Sequence, residues 1–122
     1  MRKNVAYLCL LTVCLVGSLS AQTYQGRILG LVTDPTGAVL PGAQVTIIDV
    51  ATGATRTLTT TTSGEFVAPN LEPGPYTVMV EAAGFQKFQR IGLQLEVARD
   101  IRVDAALHPG PVDTTVTISM TR

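Results

Sequence analysis

The stretch Gly74-Pro75-Tyr76-Thr77-Val78-Met79-Val80-Glu81-Ala82 decides the fold class. Tyr76, Val78, Val80 and Ala82 fall on one side of an extended chain, and Thr77, Met79 and Glu81 on the other. Successive side chains alternate across a strand, so this spacing predicts a β-strand with one apolar face. The breakers Pro73, Gly74 and Pro75 close a loop over residues 69–75 and start the strand sharply.

The same pattern recurs on both sides. Ile28, Gly30 and Val32 alternate with Arg27, Leu29, Leu31 and Thr33, and Asp34-Pro35-Thr36-Gly37 then supplies the residues of a type I turn. After Pro41-Gly42, Ala43, Val45 and Ile47 alternate with Gln44, Thr46 and Ile48. Ala51-Thr52-Gly53 reads as a hairpin connection into the β-branched stretch 55–62, and Thr62-Ser63-Gly64 turns the chain into Glu65-Phe66-Val67. Further on, Leu93, Leu95 and Val97 alternate with Gln94 and Glu96, and Ile101, Val103, Ala105 and Leu107 with Arg102 and Asp104. Pro109-Gly110-Pro111 stops that run, and the Thr-rich residues 112–121 read as an edge strand or a linker. About seven short strands at this spacing, each with one polar face, predict two sheets packed face to face in an all-β sandwich. No segment after residue 21 carries a sustained helical period.

The N-terminus has the three parts of a secretory signal peptide. Arg2 and Lys3 precede an apolar run from Val5 to Val16, and Gly17 to Ala21 form a small-residue exit. The run is shorter than the roughly 20 apolar residues a membrane span needs. Cleavage is therefore expected after Ser20 or Ala21, leaving a sandwich domain over residues 22–109 and a Thr-rich tail over 110–122. A lipoprotein anchor on Cys14 is disfavoured because Val13 stands where a small residue is required.

Cleavage has chemical consequences. Cys9 and Cys14 are the only cysteines, so the exported domain would contain no disulfide. Loss of Arg2 and Lys3 from nine basic and nine acidic residues leaves a net charge of about −2. No basic run survives to neutralise phosphates, so nucleic acid is not an expected partner, and no later segment is apolar enough to span a bilayer as a helix.

Catalytic chemistry finds little support. His108 is the only histidine, directly before Pro109, and one histidine cannot assemble a zinc site. Ser63 and Ser119 lack a nucleophile-elbow context. The acidic residues are scattered, with no calcium-loop pattern and no evident glycosidase pair. Lys87, the one lysine beyond the leader, is far from the first strand, which argues against a pilin-type isopeptide bond. No enzyme, metal or cofactor is therefore expected. For carbohydrate binding, which uses exposed aromatic faces, Phe66 and Tyr76 fall on core faces, leaving Phe85 and Phe88 beside the Gly84 bend as the candidates for glycan contact, with core or rim packing the first expectation for both.

An ordered set of segments resembles the carboxypeptidase regulatory-like domain: Gly26-Arg-Ile-Leu-Gly30-Leu-Val-Thr-Asp34-Pro-Thr-Gly37, Leu40-Pro-Gly-Ala-Gln-Val45, Ser63-Gly-Glu-Phe-Val67, Asn70-Leu-Glu-Pro-Gly74-Pro-Tyr76-Thr-Val78, Ala83-Gly84-Phe85, Leu95-Glu-Val97 and Val103-Asp-Ala-Ala-Leu107. The resemblance runs from about Gln25 to Leu107. It implies a seven-stranded transthyretin-like (prealbumin-like) β-sandwich, grouped with carbohydrate-binding-like folds, that performs no catalysis. In many bacteria a signal peptide followed by this domain opens a TonB-dependent outer-membrane receptor, ahead of its plug and barrel. On that likeness Asp113, Thr114, Thr115, Val116, Thr117 and Ile118 resemble a TonB box, a segment that pairs with TonB as an added strand. The resemblance thus implies TonB or an outer-membrane barrel as partner, with carbohydrate as the alternative. It implies export through the Sec pathway to the periplasm or outer membrane, or alternatively secretion.

Overall fold

A computed structural model describes residues 25–111 and 115–119. The signal-peptide reading of residues 1–21, with its cleavage site, lies outside these residues, as do Asp113 and Thr114 of the tail motif.

Nine strands are described: β1 (Gly26–Thr33), β2 (Gln44–Asp49), β3 (Thr55–Thr59), β4 (Glu65–Leu71), β5 (Gly74–Glu81), β6 (Lys87–Leu95), β7 (Asp100–Arg102), β8 (Ala105–Ala106) and β9 (Thr115–Ser119). They form two sheets. One has the order β4-β1-β7, with β8 also paired to β1, and the other runs β3-β2-β5-β6-β9. The sandwich expected from the alternation is present.

The expected count of seven strands is corrected to nine. The run read as one strand over 101–107 is split in two. β7 pairs in parallel with Arg27–Leu29, and β8 with Val32 and Thr33. Between them the Asp104 carboxylate accepts the Leu31 N–H at 3.1 Å, taking the place of a main-chain acceptor, and Val103 N–H reaches Leu29 O at 2.7 Å. The second addition is β9.

Alternation explains the core. Ile28 and Val32 of β1, Val45 and Ile47 of β2, Phe66 and Ala68 of β4 and Tyr76, Val78 and Val80 of β5 all point inward and are buried. Two bulges keep the apolar residues inside. In β4 the residues Ala68 and Leu71 pair with Ile28 and Gly26, so β4 carries one extra residue there, and Asn70 adopts φ 60°. In β6 the residues Arg90 and Leu93 pair with Val78 and Tyr76, and Gly92, at φ 74°, absorbs the extra residue. Each bulge reverses the phase, so Leu71, Leu93 and Leu95 are buried. Val97, which the sequence pattern continued from Leu95, lies past the end of β6 and is exposed.

β4 also runs further than Glu65-Phe66-Val67. It passes through Pro69, which the sequence pattern assigned to a loop. Proline is tolerated because β4 is an edge strand and needs no donor on its open side. The turns match their residues: Gly37 N–H donates to Asp34 O at 3.0 Å, and Gly53 N–H to Asp49 O at 2.7 Å.

Candidate functional site

The tail strand is the first candidate. β9 lies parallel to β6, with Thr115 opposite Lys87, Val116 opposite Phe88, Thr117 opposite Gln89, Ile118 opposite Arg90 and Ser119 opposite Ile91. Thr, Val and Ile favour the pleated backbone, so the segment accepts this role locally. It gives little to the core: Val116 is half-buried, and Thr115, Thr117, Ile118 and Ser119 are exposed. Four of the six tail-motif residues, Thr115 to Ile118, thus sit on β9 at the end of the five-stranded sheet.

The two aromatic candidates part company. Phe88 is only 3% exposed and belongs to the core. It faces Val80 on one side and Val116 on the other, and the Arg90 guanidinium stands 5.5 Å from its ring centroid. No ring face is left for a sugar, which corrects the expectation for this residue. The strand period explains why: position 88 shares a face with Val80, and the bend at Gly84 lies too far back to turn it out. Phe85 is half-buried, packs against the core and forms an isolated bridge with Pro109.

The residues weighed for catalysis stay dispersed. His108 is exposed, and its main-chain carbonyl accepts Gln86 N–H at 2.8 Å. Ser63 is exposed in its turn. Among the described residues no three His, Cys, Asp or Glu side chains gather as a metal site, and no helix is long and apolar enough to cross a membrane.

A second candidate was not legible in the sequence. At the side of the sandwich where β3 and β4 come together, an open groove of about 200 Å³ is lined by Ile47, Leu71 and Tyr76, with Asp49, Arg56 and Glu72 among the polar residues. Arg56 of β3 donates to the carbonyls of Pro69 and Asn70 on β4, tying the two sheets across this edge. Tyr76 Oη donates to Glu72 O at 2.6 Å. Burial pushes the Tyr76 phenol above its ordinary pKa, the Asp49 and Glu72 carboxylates add to the rise, and Arg56 opposes it. Donors and acceptors therefore meet around an apolar floor, a combination suited to holding a small polar ligand. Its members come from four strands and a loop, and no short-range spacing announces them. The extra residue that carries Asn70 into its left-handed conformation is a matter of pairing register.

A two-sheet sandwich whose features of interest are a strand edge and a shallow groove falls in the class of small all-β sandwich domains. The chain belongs to the carboxypeptidase regulatory-like domain family, whose model matches residues 27–108. No curated protein matches it.

Among solved structures the chain is similar to GBS52, the minor pilin of Streptococcus agalactiae, with a TM-score of 0.58 and 15% identity over 74% of this chain and 47% of that one. A Bacteroides uniformis protein assigned provisionally to carbohydrate binding gives a TM-score of 0.53 and 21% identity over 72% and 43%. Catechol 1,2-dioxygenase from Acinetobacter radioresistens gives 0.55 and 16% over 79% and 55%. The chain spans about half the length of each. At these identities the likeness concerns the fold alone.

Proposed function

We propose that this chain is a structural and interaction domain of the bacterial envelope, the N-terminal extension or a stand-alone piece of a TonB-dependent outer-membrane receptor. On this reading it is exported through the Sec pathway and works in the periplasm or at the outer membrane. The observation that carries it is β9. Seven residues beyond the end of the family match, an uncharged Thr/Val/Ile segment stands in strand conformation at the end of a sheet. Strand addition draws its affinity from main-chain hydrogen bonds, so such a segment suits pairing with TonB. The test is a pull-down with the periplasmic C-terminal domain of TonB, comparing the full chain with one ending at Pro111. The full chain is expected to be retained and the shortened one lost. Equal retention of both would remove the tail from the reading.

A second reading, carbohydrate binding, is favoured by the groove at Asp49, Arg56 and Glu72. Sugar hydroxyls both donate and accept, matching carboxylates beside a guanidinium. The provisional role of the Bacteroides uniformis relative in the fold points the same way. A glycan array probed with the wild type and with Asp49→Asn decides it: binding that weakens in the variant supports the reading, and no wild-type binding ends it.

A further inference from the structure

The strand period puts a carboxylate where the core is expected. Val45 and Ile47 of β2 point inward and are buried, and Asp49, two residues on, falls on the same face and is half-buried at the end of the strand. Tyr76 stands directly opposite Asp49 on β5, and Arg56 stands opposite Ile47 on β3. A carboxylate drawn into an inner face ordinarily has a cation beside it. Among the described residues Asp49 has none within ion-pair distance, and neither has Glu72: the ion pairs join Arg27 to Asp100, Lys87 to Glu81 and Arg102 to Asp104. Arg56 is turned instead to the main-chain carbonyls of Pro69 and Asn70.

The groove is therefore supplied with acceptors that have nothing to accept. Asp49 Oδ1 takes the Ala51 N–H at 3.0 Å, and Glu72 Oε1 takes the Gln25 side-chain amide at 2.9 Å. The second oxygen of each carboxylate takes no hydrogen bond among the described residues. The Tyr76 side chain is only 3% exposed, and its phenol gives its one proton to Glu72 O at 2.6 Å. The phenol oxygen accepts nothing in return among the described residues. A buried polar atom with unused capacity calls for a partner, and here it lines an open groove. After burial, it is Asp49 and Glu72 that raise the Tyr76 pKa, against the opposing Arg56, so the potential at the phenol is negative.

Three such acceptors suit a group that only donates. An ammonium has three donors and no acceptor, whereas a hydroxyl brings lone pairs along with its proton. Beneath these oxygens Ile47 and Leu71 form an apolar floor, and the space of about 200 Å³ is of the size of a single sugar ring. We propose that the groove takes an amino sugar with a free amine, the ammonium held by Asp49, Glu72 and the Tyr76 oxygen and the carbon face of the ring set against the apolar floor. This rests on the carbohydrate reading of the groove and names the sugar. N-acetylation removes the charge and adds a carbonyl oxygen, which would face the two carboxylates.

Isothermal titration calorimetry of the full chain tests it, with a glucosamine oligomer and its N-acetylated counterpart of equal length, at mildly acid pH where the sugar amine holds its proton. The free-amine sugar should bind about tenfold tighter or more, equivalent to about 1.4 kcal/mol. Asp49→Asn and Glu72→Gln each keep the shape and remove a charge, and each should weaken binding of that sugar by about tenfold. Glu65→Gln removes an exposed charge outside the groove and should leave binding unchanged. Equal affinity for the two sugars overturns the inference and leaves the carbohydrate reading standing. So does a loss in Glu65→Gln as large as in Asp49→Asn, which would make the attraction a general one. Wild-type affinity in both Asp49→Asn and Glu72→Gln overturns the placing of the ammonium. Binding of neither sugar overturns the carbohydrate reading of the groove, and the amino-sugar site with it.

Discussion

Gly30 lies directly beneath the main-chain carbonyl of Val103, so close that a Cβ at position 30 would overlap that oxygen. The approach is fixed on both sides. Val103 N–H donates to Leu29 O at 2.7 Å, while β7 and β8 hold the chain against β1 before and after it. Gly30→Ala cannot be relieved by a rotamer change, because the obstacle is backbone. It should cost about 3 kcal/mol, seen as a lower urea midpoint with an unchanged slope. Gly37→Ala has open space for its Cβ and should be strained only by its φ of 87°.

Thr60 makes a second irreplaceable contact. It is 5% exposed, accepts the Ala43 N–H at 2.8 Å and donates to Leu40 O at 2.7 Å. Thr60→Val preserves the shape and strands both main-chain groups. A loss of about 2 kcal/mol is expected, while Thr60→Ser should retain most of the stability. Equal losses in the two variants would mean that packing of the methyl group matters as much as the hydroxyl's two hydrogen bonds.

Much of this was legible in the sequence where a residue's role is local. Tyr76, Val78 and Val80 announced their strand by period, and Asp34 and Gly37 their turn by chemistry. What was hidden depends on register. The Asn70 and Gly92 bulges each change which residues face inward, and only pairing with β1 and β5 reveals the extra residue. The split of 101–107 turns on the Asp104 carboxylate reaching Leu31 N–H from 73 residues away in the sequence, beyond any window of periodicity. Whether Phe88 packs in the core or offers its ring to solvent is settled by Val80 and Val116, which pairing brings to its two sides. The groove at Asp49, Arg56 and Glu72 is invisible for the same reason.

The acid limb of stability should report two carboxylates. Asp34 Oδ1 accepts bonds from the Thr36 hydroxyl at 2.6 Å, the Thr36 N–H at 2.9 Å and the Ala38 N–H at 3.0 Å, and these bonds, the hydroxyl's foremost, lower its pKa. Asp100 is lowered by its fork with Arg27, Nε to Oδ1 at 3.1 Å and Nη2 to Oδ2 at 2.6 Å. A carboxylate with a depressed folded-state pKa stabilises the fold above its unfolded value, about 4, and that contribution is lost as pH falls through the folded value. Unfolding midpoints should therefore drop below pH about 4. The drop should be shallower in Asp34→Ala, and shallower still when Asp100→Ala is added. Asp100 is exposed, so added salt should shrink its effect.

Phe85 and Phe88 should separate cleanly by substitution. Phe88→Ala empties a core position between Val80 and Val116 and should cost about 3–5 kcal/mol. Phe85 is half-buried at the bend and should cost less than half as much on truncation. Thermal unfolding followed by far-UV circular dichroism checks the order. If glycan binding exists and fails in Phe88→Ala, the loss should track unfolding, whereas Phe85→Ala can remove contact from a folded protein.

The last prediction concerns the tail as a structural element. Every residue of the core cluster lies between Ile28 and Leu107, so a chain ending at Pro111 keeps the core intact. What it loses is five residues of parallel pairing and the half-buried side chain of Val116, which covers one side of Phe88. Parallel pairs at a sheet edge are weak, and one half-buried valine is worth about 1 kcal/mol by area. The shortened chain should therefore unfold cooperatively, with a midpoint lowered by the equivalent of about 1–2 kcal/mol. Amides of Lys87–Ile91 should exchange faster and those of β1, β2 and β5 should not. If removal of the tail instead melts the sandwich, β9 is an integral strand and the Pro111 chain is no fair control for TonB binding. A small loss means that β9 is held by main-chain bonds to β6 and adds little else to the fold, as a strand kept for a partner would be.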